Sequence, residues 1–404
     1  MQMKEKPRPF ATGFSLYKGL DTSIYRLFLI RIINRFGDFV QMLLVLILTG
    51  KLGLSSSQTG LFVSASIVAT MIGQLASGFL AEHWKTKHLL VVCQSVVGLS
   101  YLACALVYQN NPSLIPFLIL LSSPFRGGTA PLTNILVSAF SKPSQLSRSF
   151  SLLYLGTNIG VAVGPVAASF LYARSLVVLF LISSCLLLAS TLMLIVSIPH
   201  SSSDHTADVQ DFPKVKIHHF GVLWTFFVFF ALYSLFYGQN TFTLPLQFSS
   251  LFGEDLGTRW YGTLMMVNAV TVLVATTFLT AWTNRMGQLS SMAVAMLFYV
   301  LGYGLYGFCD HIALFLVATV IWTLGEILMA TNANVFVNAY SPPSLRSRSN
   351  AYITMFSSLG HALSPTLGGF LLLYTGYRQL WVLASIGCFL LGCGYIVLNK
   401  YLRT

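Results

Sequence analysis

Charge is scarce in this chain. Asp, Glu, Lys and Arg make up 8% of its 404 residues, against about 25% in a soluble domain. That deficit argues against a fold solvated by water on all sides. No P-loop is present, so ATP hydrolysis within this chain is not expected. No nucleophile–base pair and no metal-ligand cluster appears at a recognisable spacing, which argues against an enzyme and leaves no cofactor or metal to expect. None of the six cysteines forms a C-x-x-C pair. Cys93, Cys104, Cys185, Cys309, Cys388 and Cys393 lie in or beside apolar stretches and read as small buried hydrophobes. The apolar stretches do not alternate with a period of two and are too long for barrel strands, so a β-barrel is excluded.

What the chain does have is hydrophobic length. Hydrophobic residues make up 55% of it, and a membrane helix needs about 20 consecutive apolar residues. Twelve stretches qualify: 22–49, 59–82, 88–108, 114–139, 150–173, 175–198, 221–248, 259–283, 289–309, 312–339, 350–375 and 379–399. Short polar turns separate them. The one long polar break, His200–His219, is rich in Ser, Asp and His. It reads as a cytoplasmic linker (200–219) between an N-terminal six-helix half (22–199) and a C-terminal half (220–404). Its histidines lack the Cys or carboxylate spacing of a zinc site.

The first residues, 1–21, are basic and polar, with Lys4, Lys6, Arg8 and Lys18. No short apolar core with a cleavage site follows, so they read as a cytoplasmic tail. Twelve spans put both termini on one side. Basic residues agree, because only Lys51, Arg174, Arg259 and Arg378 fall in segments assigned to the outside. This asymmetry accounts for the net charge of +12 through anionic lipid at the membrane surface, without nucleic acid.

The chain also repeats itself at an offset of 200 residues. Ala130–Leu171 aligns on Ala330–Leu371 without a gap, with Asn134 on Asn334, Ser147-Arg148-Ser149 on Ser347-Arg348-Ser349, Gly160 on Gly360 and Pro165 on Pro365. A duplicated membrane segment marks a transporter built from two related halves with its site between them.

Twelve spans in two halves around a central loop resemble the major facilitator superfamily. Gly78-Phe79-Leu80-Ala81-Glu82-His83-Trp84-Lys85-Thr86-Lys87 resembles that family's loop signature G-x-L-A-D-R-x-G-R-K. Glu82, His83 and Lys85 depart from it. The second-half loop keeps Arg285 and Gly287. The resemblance implies that Glu82 pairs with a basic residue such as Lys87 and latches one conformation; a solvated helix end is the alternative. In span five, Gly156, Gly160, Gly164 and Pro165 resemble the motif of the proton-antiporting, multidrug-exporting branch. Glycines four apart let helices approach closely. They are expected to pack against the other half, with Gly360 and Pro365 doing the same in span eleven. Ordinary tight packing is the other reading.

Charges at the bilayer centre are costly and usually functional. Asp38 and Glu326 are the acids that fall mid-span, and Arg31, Arg35 and Arg126 the bases. They lie on spans one, four and ten, which in the resembled family line the central cavity. Arg31, Arg35 and Asp38 share one helix face, and Arg35 can pair with Asp38 along it. That pair is either functional or a device that makes the helix tolerable. Arg126 resembles the family's proton-moving arginine of span four. Glu326 occupies the repeat position of Arg126, so the two are expected to face each other across the cavity. Asp38, Glu326 and Arg126 are therefore the candidate proton-coupling residues. Arg31, Arg35, Asn34, Gln41, Tyr233, Tyr237, Gln239 and Asn240 are the candidates to line the substrate cavity. His361, the mid-membrane histidine, reads as packed and hydrogen-bonded.

The fold expected is thus an all-α integral membrane protein, with twelve transmembrane helices in two pseudo-symmetric halves. The function expected is secondary active transport by alternating access, as proton-coupled export of small amphipathic organic compounds from the cell, by a monomer whose partners are substrate, protons and lipid. Uptake by symport, flipping of a lipid-like solute, and a transport-inactive sensor on the same fold remain open.

Overall fold

The computed structural model describes residues 17–81, 83–142, 145–199, 220–283, 286–341 and 346–402. Glu82, Arg285 and the 200–219 linker lie outside the described residues. Among those described, every regular element is helical. Apolar side chains at every turn of most helices leave no other way to satisfy backbone groups in lipid.

The first group comprises α1 (Thr22–Phe36), α2 (Phe39–Met42), α3 (Leu44–Leu46), α4 (Ser56–Leu80), α5 (Thr86–Val107), α6 (Ile115–Phe140), α7 (Leu146–Arg174) and α8 (Leu176–Ser197). The second comprises α9 (Phe220–Tyr237), α10 (Gln239–Phe252), α11 (Glu254–Thr283), α12 (Gln288–Phe308), α13 (Ile312–Tyr340), α14 (Arg346–Tyr374) and α15 (Tyr377–Tyr401). Each predicted span coincides with one helix or a broken run of helices. Eight of these segments are long and apolar enough to cross a membrane. The spans outside that group, at 22–49, 114–139, 259–283 and 350–375, carry polar side chains such as Arg35, Arg126, Asn268 and His361. Leu75, Leu106, Phe117, Val196 and Phe278 are all exposed, an apolar exterior suited to lipid.

Two predicted spans are not continuous. Span one breaks at Gly37-Asp38, where Asp38 leaves helical geometry (φ −79°, ψ 40°), and ends in a π-helical turn at Ile47–Lys51. Span seven is interrupted at Gly238, between α9 and α10, although Gly238 itself keeps helical angles (φ −61°, ψ −19°). Both breaks fall at glycine, where the helix is weakest. Both glycines are also pinned: a Cβ on Gly37 would lie 2.9 Å from the Leu186 Cβ, and one on Gly238 would lie 2.6 Å from Ser364 Oγ. Gly37 and Gly238 lie 201 residues apart, one more than the 200-residue offset of the repeat. Broken helices of this kind form the sites of transporters with internal repeats.

Within the second group α12 packs on α13 and α15, and within the first α4 packs on α6 and α5 on α8. The two groups meet through α4 against α14 and α7 against α11. At these seams the backbones nearly touch. A Cβ on Gly60 would strike the Pro365 carbonyl, one on Gly369 would strike that of Ser56, and one on Gly262 would lie 2.8 Å from the Pro165 carbonyl oxygen. Thr366 Oγ1 donates to Ser64 Oγ across the seam at 2.7 Å. These contacts all fall toward the end of the bundle that carries Lys51.

The glycine strip of span five does not face the other half as expected. A Cβ on Gly156 would meet Phe28, one on Gly160 would lie 2.6 Å from the Arg35 Cβ, and one on Gly164 would lie 2.9 Å from Met42 Cε. All three partners lie in the run from α1 to α2. Gly360 likewise meets Ala231 and Ser234 of α9, in its own group. Glycine spacing specifies close approach but not the partner. The prolines that follow do reach across: Pro165 touches Gly262, and Pro365 touches Gly60. Gly60→Leu is therefore expected to wedge the seam apart, since a backbone carbonyl cannot step aside. Transport should fall by roughly tenfold or more, the rate equivalent of about 1.4 kcal/mol, while substrate binding at equilibrium changes little. Rates and binding measured on the same variant check this.

Candidate functional site

Arg31, Asn34, Arg35 and Asp38 of the broken first span face Thr70 and Gln74 of α4, Gln94 of α5 and Arg126, Thr129 and Thr133 of α6 around a polar cavity of about 120 Å³. The missing side chains of Gly73 and Gly127 make it possible: a Cβ at Gly73 would strike the Pro124 carbonyl and one at Gly127 that of Thr70. Backbone contact between α4 and α6 thus brings Arg126 onto the helix break. Arg126 Nη1 stands 3.6 Å from Asp38 Oδ2, with the side chains 23% and 16% exposed. Asp38 has left the helix, so the pair along the helix expected for Arg35 and Asp38 gives way to one between spans one and four. Arg35 has no hydrogen-bond or ion-pair partner among the described residues. Arg31 Nε donates to Thr157 Oγ1 of α7 at 3.0 Å, and Ser190 donates to Asn34 Oδ1.

Glu326 is elsewhere. Tyr237 donates to its Oε1 at 2.7 Å, and Asn268 Nδ2 to its Oε2 at 2.7 Å. Asn268 also donates to Thr323 Oγ1 at 3.0 Å. The expected meeting of Arg126 and Glu326 across the cavity is thus not what forms. Repeat symmetry explains why. Equivalent positions in two halves have equivalent neighbours within their own half. Ser66 and Ser123 hydrogen-bond at 2.6 Å within the first group, and Asn268 and Thr323 do so at 3.0 Å within the second. At the 200-residue offset from Asp38 stands Gly238, and its neighbour Gln239 is neutral and donates to Ser364 O at 2.8 Å. Among the described residues Glu326 has no charged partner such as its counterpart Arg126 has, and it takes neutral donors instead.

Other expected cavity residues are committed to the interior. Tyr233 is buried, its hydroxyl 2.9 Å from that of Tyr299. Buried Asn240 donates to the Tyr303 hydroxyl at 2.8 Å. Gln239 is equally buried. Of the four candidates from span seven, only half-buried Tyr237 meets a mid-membrane charge. Gln41, half-buried one turn beyond Asp38, lies outside the cavity lining. His361 Nδ1 lies 2.9 Å from Ser357 O, and its ring packs 5.7 Å from that of Tyr237. Lys87 is buried and donates to Ile195 O and Ile198 O at the end of α8, which makes it a helix cap. Gly78 has open space around its Cβ position. Gln74, Gln94 and Asn268 were not anticipated. The available signal was an amide in the middle of an apolar span, which the cost of burying polar groups makes noteworthy.

The Lys51 end of the bundle carries a separate cluster. Lys51 Nζ lies 2.8 Å from Glu254 Oε1. The Tyr172 hydroxyl lies 2.7 Å from the same oxygen and 2.9 Å from Leu46 O, and Lys51 sits 4.8 Å from the Tyr172 ring centre. Residues from both groups of helices are tied here. Glu254 precedes the predicted span at 259–283. Burial alone pushes its carboxyl up, but hydrogen bonds from Lys51 and Tyr172 outweigh that and hold it below its ordinary value of 4.5. A depressed carboxyl stabilises the tied state above its ordinary range and loses that stabilisation only as pH falls through the lowered value. The tie is thus ionised throughout neutral pH. Glu254→Gln is expected to open this end more often, raising the reactivity of a cysteine introduced at Thr49 toward an impermeant thiol reagent several-fold. Unchanged labelling from pH 6 to 8 in the parent is the matching expectation.

The sequence matches the Major Facilitator Superfamily over residues 27–337 and 242–402. It is 22% identical over 365 residues to an uncharacterized MFS-type transporter, YqjV, of Bacillus subtilis, covering 87% of each chain. It is 30% identical over 151 residues to the 4-hydroxybenzoate transporter PcaK of Pseudomonas aeruginosa, 37% of this chain and 32% of that one. The fold superposes on the crystal structure of the nucleoside transporter NupG with a TM-score of 0.77 at 15% identity, covering 94% of this chain and 100% of that one. A helical, lipid-faced bundle with two internal repeats, a broken first span and a family match along nearly its whole length make this chain a multi-pass membrane protein that belongs to the Major Facilitator Superfamily.

Proposed function

We propose that this chain is a proton-coupled secondary transporter that exports small amphipathic organic compounds by alternating access. Residues 22–199 and 220–404 act as its two moving halves, joined by 200–219. It resides in the cell membrane with both termini and the linker in the cytoplasm, so that the Lys51 end faces outside and the state described is closed there. The observation that carries the reading is the Asp38–Arg126 pair at a helix break inside a polar cavity. An ion pair there is costly and loose at 3.6 Å. Protonation of Asp38 releases Arg126, so the pair opens and closes as the proton is taken up and given off, which couples proton movement to conformation. Glu326, held by neutral donors alone, is the second proton site. The Lys51–Glu254–Tyr172 tie holds the outer end shut between turnovers, together with the close α4–α14 and α7–α11 contacts at the same end.

Export rests on the span-five motif. Uptake has one observation in its favour, the partial similarity to a 4-hydroxybenzoate transporter. Purified protein in liposomes with an imposed pH gradient decides between them: substrate moving against the proton flow supports export, and movement with it supports uptake. No substrate movement under either gradient, with the protein folded, removes the transporter reading.

A further inference from the structure

We infer that the first-half cavity receives the anionic head of an organic compound, a carboxylate or an organic phosphate. This rests on the transporter reading above and narrows it to a substrate class. The cavity gathers three guanidinium groups, Arg31, Arg35 and Arg126, around one carboxylate, Asp38. Arginine stays charged in proteins, so the lining keeps an excess of positive charge even with Asp38 ionised. Glu326, the other mid-membrane acid, is held by Tyr237 and Asn268 and does not offset it.

The donors are also left over. Gln94 is 1% exposed. Its Oε1 accepts from Thr191 Oγ1 at 3.3 Å, yet its Nε2 is buried without a protein partner. The buried Nε of Arg126 has none either. Buried donors without acceptors are rare. Two of them on different helices, lining one cavity, call for an acceptor with more than one lone pair. A carboxylate or phosphate oxygen supplies this and the compensating charge together. A cation meets neither need.

Size limits what enters. Sites for whole drug-sized ligands are roughly 300–1,000 Å³, and this cavity is about 120 Å³. A head group fits, and the organic body lies outside it. Arg31 is well placed for such a head: Thr157 fixes its Nε and leaves the terminal amino groups for a ligand. Arg35, one turn along, has no partner to surrender among the described residues.

The test is calorimetric binding to the full-length protein in detergent, using benzoate, phenyl phosphate, inorganic phosphate and tetraphenylphosphonium as probes. Benzoate or phenyl phosphate should bind, and Gln94→Leu should weaken that binding by roughly tenfold, the worth of one hydrogen bond to a charged group. Arg31→Lys keeps the charge but loses the fork and should weaken it measurably. Thermal unfolding confirms that each variant is folded. Should Gln94→Leu not fold, Gln94→Glu is the second variant, expected to reject anions through like-charge repulsion. Tetraphenylphosphonium binding in place of the anions overturns the inference and leaves the transporter reading standing. Inorganic phosphate binding as tightly as phenyl phosphate also overturns it, since no organic body is then recognised. Failure of every probe to bind overturns it as well. Anion binding lost in these variants, but without anion flux in liposomes, upholds the pocket and removes the transporter reading.

Discussion

Arg126→Met is expected to abolish transport and to destabilise the protein, and adding Asp38→Asn is expected to return most of the stability and none of the transport. The single variant leaves Asp38 charged or protonated in a low-dielectric cavity with its partner gone. Breaking a fully buried pair costs roughly 3–5 kcal/mol. Side chains 23% and 16% exposed are partly solvated, so the loss here should be nearer ~2 kcal/mol. The double variant removes both charges and with them the penalty. Transport stays absent because the pair that opens and closes with the proton no longer exists. Thermal unfolding of the parent, the two single variants and the double variant, with flux measured on each, completes the cycle. Additive stability losses mean that the two residues do not share an interaction. Glu326→Gln added to Arg126→Met should give no such rescue, because Glu326 lies among Tyr237, Asn268 and Thr323 rather than against Arg126.

Glu326→Gln is the second large effect expected. Glutamine has the shape of a protonated glutamate and can keep a hydrogen bond with Tyr237 or Asn268, so folding should be unaffected. It cannot take up and release a proton. Uphill transport driven by a pH gradient should fall by roughly a hundredfold, about 2.7 kcal/mol on the coupling step. Exchange of labelled for unlabelled substrate at equal pH, which needs no net proton movement, should persist. Substrate binding should stay near the parent's, since Glu326 is not part of the first-half cavity. Parent-like uphill transport between pH 6 and 8 would show that Glu326 is structural.

The residues that were misassigned show where one-dimensional reading stops. Gly160 was expected at the seam between halves and lies against Arg35 of its own half. A glycine strip records a close approach, and the partner depends on how a helix is rotated in the bundle. Arg126 and Glu326 were matched by the repeat, but a repeat pairs positions that have the same surroundings, not positions that touch. Gln239 and Asn240 lie mid-span like true cavity residues, yet their amide N–H groups donate to Ser364 and Tyr303. A polar residue in a membrane span announces that it has a partner, without saying whether that partner is protein or substrate. Asp38 was placed on a continuous helix, although Gly37 before it was the available sign of a break.

The sequence by itself determined that this chain is a helical membrane protein, where its long helices fall, that it is duplicated, and which few charges lie mid-helix. Those follow from local quantities: apolar length against bilayer thickness, the energetic cost of charge in hydrocarbon, and self-similarity. Tertiary structure decided the rest. It placed Asp38 against Arg126, gave Glu326 neutral donors, left Gln94 and Arg126 with unused donors at one cavity, and tied Lys51 to Glu254 across the two groups of helices. Each of these depends on the rotation and depth of helices far apart in the chain. Those are set by where backbones can meet, at Gly60, Gly73, Gly127 and Gly262, and no single helix carries that information alone.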